Sequence, residues 1–212
     1  MRGPRLFVFD WDGTLIDSVS RIVSCMSLAA GDAGLPLRSD AQYSDVIGLG
    51  LPQAIATLYP DLSVELALAF RDRYADRFME ADTEPSAFFD GALETLRTLK
   101  GEGHLLAVAT GKSRRGLERV MGRHGLAGFF HATRCADETA SKPDPLMLHQ
   151  IFSELGVAPG DALMVGDTEF DLDMAARAGA RSVGVSYGVH SPERLLRHGP
   201  ERIISALADL LS

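Results

Sequence analysis

Short apolar runs, each ending near a polar residue or a glycine, recur along the chain. Runs this short that are rich in Val, Ile, Leu, Phe, Ala and Met favour buried strands over helices. Continuous apolar character, instead of alternation, is typical of a parallel sheet that is covered on both faces. The pattern predicts strands at residues 6–10, 105–110, 131–135, 162–167 and 181–185.

Helical periodicity fills the segments between these runs from residue 90 onward. Apolar residues recur three or four positions apart, which places them on one face of a helix. Ser191 and Pro192 predict a helix start, because serine caps the first turn and proline suits the first helical position. The helical pattern is carried by Leu93, Leu96, Leu99, Leu117, Val120, Met121, Leu148, Ile151 and Phe152. Strands that alternate with helices predict an α/β fold with a doubly wound, Rossmann-like parallel sheet.

Residues 17–87 interrupt this alternation, because they contain no strand pattern. Two apolar helical faces are predicted there, one made of Ile22, Cys25, Met26 and Ala29 and one made of Leu66, Ala69, Phe70 and Tyr74. We therefore expect an all-helical cap at 17–87, inserted into an α/β catalytic core formed by residues 1–16 and 88–212. The loop at 47–52 contains two glycines and a proline, and we expect it to be mobile.

Composition and charge exclude several classes of protein. Apolar residues make up 46% and charged residues 24%, as in a globular protein. The net charge of −8 and the absence of a basic cluster argue against a nucleic-acid partner. No apolar stretch is long enough to span a membrane, and Cys25 and Cys135 match no metal-binding or redox motif. We expect a cytoplasmic protein with reduced thiols and no membrane partner.

Polar residues that could take part in catalysis or ligand binding lie where the predicted strands end. Asp10 and Asp12 follow the first strand, Thr110 ends the second and Asp167 ends the fourth, while Lys142 precedes a predicted helix. Ligands of an open parallel sheet bind outside the carboxyl ends of its strands, so we expect these residues at one edge. Taken singly, Thr110 is typical of a turn, Lys142 of a solvated helix start and Asp167 of a helix cap.

Asp10 and Asp12 differ from the others, because two nearby carboxylates at a strand end repel each other. One of them takes up a proton unless a cation neutralises the pair. Asp167 would bring a third acid to the same point, and such a set suits a hard divalent cation with oxygen ligands. Lys142 and Thr110 would add a positive charge and a hydroxyl donor. The combination suits a phosphoryl group, whose transfer depends on positioning and charge neutralisation.

These residues resemble the motifs of the haloacid dehalogenase superfamily. Residues 10–18 resemble the first motif and read DWDGTLIDS. Thr110, Lys142 and Asp167 with Asp171 resemble the second, third and fourth motifs, in the same order. The resemblance covers essentially the whole chain and is nearest to phosphoglycolate phosphatase-like members, which carry a helical cap between the first two motifs. It implies an Mg²⁺-dependent phosphatase that acts on a small phosphorylated metabolite.

The resemblance implies a role for each acid at the first and fourth motifs. Asp10 would be the nucleophile that forms an aspartyl-phosphate. Asp12 would be the general acid for the leaving alcohol and then the general base for water. Mg²⁺ would bind the carboxylates of Asp10 and Asp167 and the backbone carbonyl of Asp12.

The remaining motif residues would hold the phosphoryl group. The resemblance implies that Thr110, the backbone amide of Gly111 and Lys142 contact its oxygens. Asp171 would orient Lys142 or a metal-bound water. Trp11 stands where the family usually has another bulky residue, and its backbone amide, not its ring, is expected to face the phosphoryl group.

Other activities on the same fold fit these residues less well. Dehalogenases lack the second acid of the first motif, and phosphonatases need a cap lysine, whereas the lysines here are Lys100, Lys112 and Lys142. A mutase would need a cationic cap to hold a second phosphate, and acids outnumber cations in this cap. An inorganic pyrophosphatase or a sugar-phosphate phosphatase stays open. A phospho-Asp signalling module, from a different class, would be much shorter and would lack the cap.

The sequence leaves the substrate undecided. We expect the cap to select it, through the loop at 47–53 and Arg21. The protein is expected to act as a monomer or a weak homodimer.

Overall fold

A six-stranded parallel sheet forms the centre of the computed structural model, which describes residues 4–81 and 83–211. The strands are β1 (Leu6–Phe9), β2 (Leu105–Thr110), β3 (Ala132–Cys135), β4 (Ala162–Gly166), β5 (Arg181–Val185) and β6 (Arg202–Ile204). Their order in the sheet is β3-β2-β1-β4-β5-β6. The predicted α/β fold with a doubly wound parallel sheet is confirmed.

Helices occupy the connections of this sheet and the insert after β1. They are α1 (Val19–Asp32), α2 (Asp40–Asp45), α3 (Leu51–Leu58), α4 (Val64–Ala81), α5 (Ala92–Gly101), α6 (Arg114–Arg123), α7 (Leu146–Leu155), α8 (Glu169–Ala178) and α9 (Pro192–Leu196). Ser191 caps α9 as predicted, because its hydroxyl accepts from the Arg194 amide. No helix within the described ranges has the length and apolarity needed to cross a bilayer.

Successive residues of each buried strand face opposite sides of the sheet. In β1, Phe7 and Phe9 pack with α5 and α6, whereas Leu6 and Val8 pack with α7 and α8. Both faces of the strand are therefore buried, which explains why its sequence is continuously apolar. The strand β6 has only three residues and lies at the edge of the sheet, so it lacks the run that predicted the others.

The chain reverses its direction of travel across the sheet at β1. From β1 it moves outward through β2 to β3, and it then returns to β4 on the other side of β1. Such a switch point leaves a crevice at the carboxyl ends of the neighbouring strands, where ligands of open α/β sheets bind. Asp10 lies at the end of β1 in this crevice.

The helices α1 to α4 form a separate apolar cluster above the carboxyl ends of the strands. Ile22, Met26 and Ala29 of α1 are buried in it, as the helical periodicity predicts. An antiparallel bridge between Ile16 and Phe88 joins the two connections to the sheet. We propose the division into a core of residues 1–16 and 88–212 and a cap of residues 17–87 on this basis.

The predicted apolar face of α4 is partly wrong. Phe70 is fully buried and Tyr74 is half-buried, but Leu66 is 41% exposed and Ala69 is exposed too. The face that packs on the cap cluster continues from Phe70 and Tyr74 to Phe78 instead. The direction of the stripe depends on where α1 and α3 lie, which the sequence of α4 does not contain.

Candidate active site

Asp10 is held at the end of β1 by the parallel ladder. Its amide donates to the carbonyl of Val165 at 3.0 Å, so the pairing with β4 continues past Phe9. The side chain is 1% exposed. The Trp11 ring is fully buried against Phe130, with 6.3 Å between the ring centroids. The next turn therefore starts from two rigid positions.

A glycine is required where this turn meets β4. Gly13 has a φ of +80°, and a Cβ built there would lie 2.3 Å from Oδ2 of Asp167. The close approach lets Thr14 donate its hydroxyl to Oδ1 of Asp167 at 2.8 Å. The Val189 amide donates to Oδ2 at 2.9 Å. Asp167 is thus fixed from both sides, by the first motif and by the loop after β5.

Lys142 joins the acids of β1 and α8. Its ammonium lies 2.6 Å from Oδ1 of Asp10 and 2.6 Å from Oδ1 of Asp171, and all three side chains are buried. Burial alone would lower the pKa of Lys142, but the two carboxylates raise it above its usual value. Oδ2 of Asp171 accepts from the amide and the hydroxyl of Thr168. Both oxygens of Asp171 are therefore used to hold Lys142 and the start of α8.

Three carboxylates converge around the Lys142 ammonium. One oxygen each from Asp10, Asp167 and Asp171 lies within 4.8 Å of the others. Burial raises the pKa of Asp10 well above its usual range, and it raises the pKa of Asp167 to about 7. Oδ2 of Asp10 is buried and has no hydrogen-bond partner among the described residues. Buried oxygen ligands with excess negative charge fit a hard divalent cation such as Mg²⁺.

The Asp12 carboxylate lies outside this cluster. It accepts from the Ser18 hydroxyl at 2.6 Å, and the Lys112 ammonium lies 3.0 Å from the same oxygen. Asp12 is 7% exposed, and its contact with Ser18 lies at the start of the proposed cap. The Asp12 side chain is therefore not one of the three carboxylates that converge beside Lys142.

Thr110 ends β2 and Gly111 follows it, one residue before Lys112, whose ammonium contacts Asp12. Thr110 is buried, and its hydroxyl accepts from the Lys112 amide at 3.2 Å. A Cβ built on Gly111 would lie 2.4 Å from the carbonyl oxygen of Leu49 and 2.7 Å from that of Gly48. The cap loop therefore packs directly on the turn after β2.

A second contact holds the same loop over the core. The Gly50 amide donates to the hydroxyl of Ser141, the residue before Lys142, at 2.8 Å. The loop that the sequence predicts to be mobile lies here in a closed position over the third motif.

The structure brings all the predicted site residues to one edge of the sheet. They are Asp10, Asp12, Thr110, Gly111, Lys142, Asp167 and Asp171. Sequence reasoning gave no role to Ser18, Thr14 or Lys112. Ser18 and Thr14 lie inside the first motif, and Lys112 follows Gly111. Their positions within or beside a motif were therefore the sequence feature that could have indicated a role. What they contact depends on the folded turn and on the cap.

Comparison with known proteins identifies the class. Over residues 7–185 the sequence matches the family described as haloacid dehalogenase-like hydrolase. The chain belongs to this family, as its motifs predict. The crystal structure of a predicted phosphoglycolate phosphatase from Haemophilus somnus 129pt superimposes with a TM-score of 0.89 at 25% identity, covering 100% of this chain and 98% of that one.

Two relatives of similar length indicate which type of hydrolase the chain is. A phosphoglycolate phosphatase of Vibrio vulnificus (strain YJ016) is 31% identical over 216 residues, which cover 98% of this chain and 94% of the relative. Probable phosphatase IndB of Dickeya dadantii (strain 3937) is 34% identical over 210 residues, covering 97% and 91%. The chain is a hydrolase of the phosphatase type, as predicted.

Proposed function

We propose that the protein is an Mg²⁺-dependent phosphomonoester hydrolase that forms an aspartyl-phosphate on Asp10, with 2-phosphoglycolate as its leading substrate. One observation carries the proposal. The buried Asp10 carboxylate is paired with Lys142 and belongs to the cluster of three carboxylates. The Asp12 carboxylate, two residues later, lies outside that cluster and contacts Lys112 instead. The proposed nucleophile and the proposed proton carrier are therefore close in sequence but have different surroundings. The names of the relatives support the substrate class.

In the first step an Asp10 oxygen attacks phosphorus, and the bond from phosphorus to the alcohol oxygen breaks. Asp12, protonated, gives its proton to that oxygen, so the alcohol leaves neutral. Asp10 now carries the phosphoryl group, as carboxylate nucleophiles of this kind do. Asp12 is left as a carboxylate, which Ser18 and Lys112 stabilise through the contacts at 2.6 and 3.0 Å.

In the second step water attacks the phosphorus of the aspartyl-phosphate. The Asp12 carboxylate takes the proton of that water, and the bond from phosphorus to the Asp10 oxygen breaks. Inorganic phosphate leaves, and both acids return to their starting states. One residue serves both steps, because the leaving alcohol and the attacking water use the same side of the phosphoryl group.

Charge around the phosphoryl oxygens is balanced by buried groups. Lys142 supplies an ammonium held by Asp10 and Asp171, and the Thr110 hydroxyl and the Gly111 amide would supply hydrogen-bond donors. Asp171 keeps Lys142 in place through its contact at 2.6 Å. Mg²⁺ held by Asp10 and Asp167 would supply further positive charge to the phosphoryl group.

A panel of phosphate compounds tests the proposal. The purified protein is assayed with Mg²⁺ on 2-phosphoglycolate, sugar phosphates, nucleotides, pyrophosphate and nitrophenyl phosphate. We expect phosphate release from small monoesters, with 2-phosphoglycolate giving the highest kcat/KM. A ranking led by pyrophosphate or by sugar phosphates would move the substrate assignment to those classes. No release from any compound would overturn the proposed function.

A further inference from the structure

The loop that follows β5 (residues 186–190, called the β5 loop from here on) packs directly on Asp167. The Val189 amide donates to Oδ2 of Asp167 at 2.9 Å, and the His190 amide donates to the Asp167 carbonyl at 3.1 Å. A Cβ built on Gly188 would lie 2.2 Å from Cβ of Asp167, so a larger residue would push the two segments apart. Three consecutive loop residues therefore contact one acid of the carboxylate cluster.

Tyr187, the residue before Gly188, contacts the first motif instead. Its hydroxyl donates to the Thr14 carbonyl at 2.9 Å. Thr14 is fully buried, and its own hydroxyl donates to Oδ1 of Asp167 at 2.8 Å. The β5 loop therefore reaches Asp167 by two routes, directly at Oδ2 and through Thr14 at Oδ1.

The Tyr187 ring is oriented by the segment that returns from the cap to the core. Phe89 packs against it, with 4.5 Å between the ring centroids. The Phe89 amide donates to the carbonyl of Leu15 at 3.0 Å, and Leu15 is the residue after Thr14. Phe89 therefore holds both the tyrosine ring and the chain segment whose carbonyl the tyrosine hydroxyl contacts.

We propose that Tyr187 is a positioning residue for the proposed Mg²⁺ site, and that it acts through Thr14 on the carboxylate of Asp167. The inference rests on the proposed function, which assigns Asp167 to Mg²⁺. It adds a residue that lies outside the four motifs and outside the carboxylate cluster. Side chains that orient a metal ligand without touching the metal are known to tune metal affinity.

Asp167 needs such support because negative charge is concentrated around it. One oxygen each from Asp10, Asp167 and Asp171 lies within 4.8 Å of the others. Repulsion among them would drive the side chains apart unless hydrogen-bond donors hold each carboxylate in place. A carboxylate that is already held loses less conformational freedom when it binds a cation. Tyr187 fixes the backbone of Thr14, from which one of these donors is presented.

The variant Tyr187→Phe tests the proposal, because it removes the hydroxyl and keeps the ring against Phe89. Calorimetric titration of the chelated protein with Mg²⁺ measures the affinity without any substrate. We expect the Kd for Mg²⁺ to rise about three- to tenfold, as for the loss of one net hydrogen bond. At saturating Mg²⁺, kcat should return to the value of the unmodified protein, because Tyr187 touches neither substrate nor metal.

The matched control is Tyr43→Phe in the cap. Tyr43 is fully buried, and its hydroxyl lies 3.1 Å from that of Tyr59. This variant also loses one buried hydroxyl, but it should leave the Kd for Mg²⁺ unchanged.

A double-mutant cycle tests the route through Thr14. Tyr187→Phe is combined with Thr14→Val, which removes the hydroxyl that contacts Asp167. In the Thr14→Val protein, Tyr187→Phe should raise the Kd by a smaller factor, since the donor that it positions is gone. A general structural loss would act equally in both backgrounds.

The outcomes separate the inference from the proposed function. If the unmodified protein does not bind Mg²⁺, the proposed function is wrong and the inference fails with it. If it binds Mg²⁺ and Tyr187→Phe has the same Kd, the function stands and the inference is overturned. Equal factors in the two Thr14 backgrounds also overturn it, since Tyr187 would then not act through Thr14.

A measurement on the unmodified protein decides if Tyr187→Phe does not fold. Coupling between two sites is reciprocal, so Mg²⁺ binding should strengthen the hydrogen bond between Tyr187 and Thr14. With tyrosines labelled at Cζ, the NMR signal of Tyr187 is identified by elimination in Phe variants of the other three tyrosines. That signal should shift when Mg²⁺ is added, and an unmoved signal would overturn the inference.

Discussion

Two acids only two positions apart have different surroundings in this site. Asp10 is buried against Lys142 within a cluster of three carboxylates, and its pKa is raised well above its usual range by burial. Asp12 instead contacts a hydroxyl and an ammonium that face the cap. The two different surroundings support the proposed division of roles, in which Asp10 is the nucleophile and Asp12 carries protons.

The division of roles predicts a burst in the variant Asp12→Asn. Removing a general acid or base costs about 10²–10⁴-fold in rate, so turnover of alkyl phosphates should nearly stop. Nitrophenol leaves easily as an anion, so the first step with nitrophenyl phosphate should survive. Rapid mixing should show about one equivalent of nitrophenol per site, followed by a very slow steady rate, because the attacking water still lacks its base.

The control for this experiment is the peptide that carries Asp10. Mass spectrometry should find one added phosphoryl group on it in Asp12→Asn, and none in Asp10→Asn. Absence of both the burst and the added mass, in a variant that still binds Mg²⁺, would contradict the covalent mechanism.

At the residue scale, the sequence was sufficient to predict the positions of the motif residues but not the contacts of the residues beside them. Asp10, Asp12 and Asp167 were predicted together because strand ends of a parallel sheet share one edge. Lys112 was not assigned, because its partners Asp12 and Phe78 come from the first motif and from the end of a cap helix. A contact between three distant segments leaves no local pattern.

Among the structural elements, the cap loop and the turn after β2 are coupled by backbone contact. Gly111→Ala would put a methyl group 2.4 Å from the carbonyl oxygen of Leu49, so the loop has to move. Overpacking of this kind costs about 1–3 kcal/mol, and we expect it to reduce the closed population. Hydrogen exchange of the Gly50 amide, which is bonded to Ser141, should become faster.

The matched control for this change is Gly122→Ala near the end of α6. A Cβ there meets nothing within 4 Å, and alanine suits a helix better than glycine. Exchange at Gly50 should stay as in the unmodified protein. Exchange that is unchanged in Gly111→Ala as well would show that the loop does not rest on this turn in solution. Kinetics alone would be ambiguous, because the Gly111 amide belongs to the proposed phosphoryl site.

An ion-pair bridge joins α2 of the cap to α8 and α9 of the core. Arg194 pairs with Asp45, and its Nε donates to Oε2 of Glu169 at 2.9 Å. Asp45→Asn should speed exchange in residues 47–52 by up to about fivefold, because exposed pairs contribute about 0.2–1 kcal/mol. The difference should disappear in 1 M salt, where the screening length is about 3 Å.

Glu201→Gln provides the comparison, since it breaks an exposed pair with Arg181 that lies wholly within the core. It should leave exchange in residues 47–52 unchanged. An effect of Asp45→Asn that persists in high salt would contradict an electrostatic bridge and would point to a packing change in α2.

The elements themselves were predictable to different degrees. Strands buried on both faces have runs that the sequence displays, so β1 to β5 were predicted with ends shifted by at most one residue. The edge strand β6 and the apolar face of α4 were missed or misplaced, because both depend on neighbours. For α4, Phe70 and Tyr74 belong to either possible stripe, and the positions of α1 and α3 decide that Phe78 completes it.

Across the whole molecule, the cap covers a site whose central side chains are almost completely buried in this conformation. Asp10, Thr110 and Lys142 are each 1% exposed. Closure excludes water, which strengthens the interactions of buried charges, and it also requires an opening motion in every turnover. The cap contacts at Ser141 and Arg194 are polar, which suits repeated opening.

Neutralisation of the acidic cluster should be visible in the stability of the whole protein. A ligand that binds only the native state at 100 times its Kd adds about 2.7 kcal/mol to the free energy of unfolding. For a chain of this length that corresponds to a rise in Tm of about 5–10 °C. Thermal unfolding with and without Mg²⁺, after chelation, measures it. Ca²⁺ should raise Tm as well but should not restore activity, because it prefers more ligands and looser geometry.

Substitutions at two acidic residues that are close in sequence test where the cation binds. Asp167→Asn removes an oxygen charge from the cluster, so most of the Mg²⁺-dependent rise in Tm should be lost. Asp173→Asn removes an acid of α8 that pairs with Arg177 at the surface, and it should keep the full rise. Equal rises in both variants would place the stabilising cation elsewhere on this acidic protein. The expected result is loss of the rise in Asp167→Asn alone, with the Tm of the metal-free variant unchanged or higher. The amide relieves repulsion among buried carboxylates that bound Mg²⁺ would otherwise neutralise.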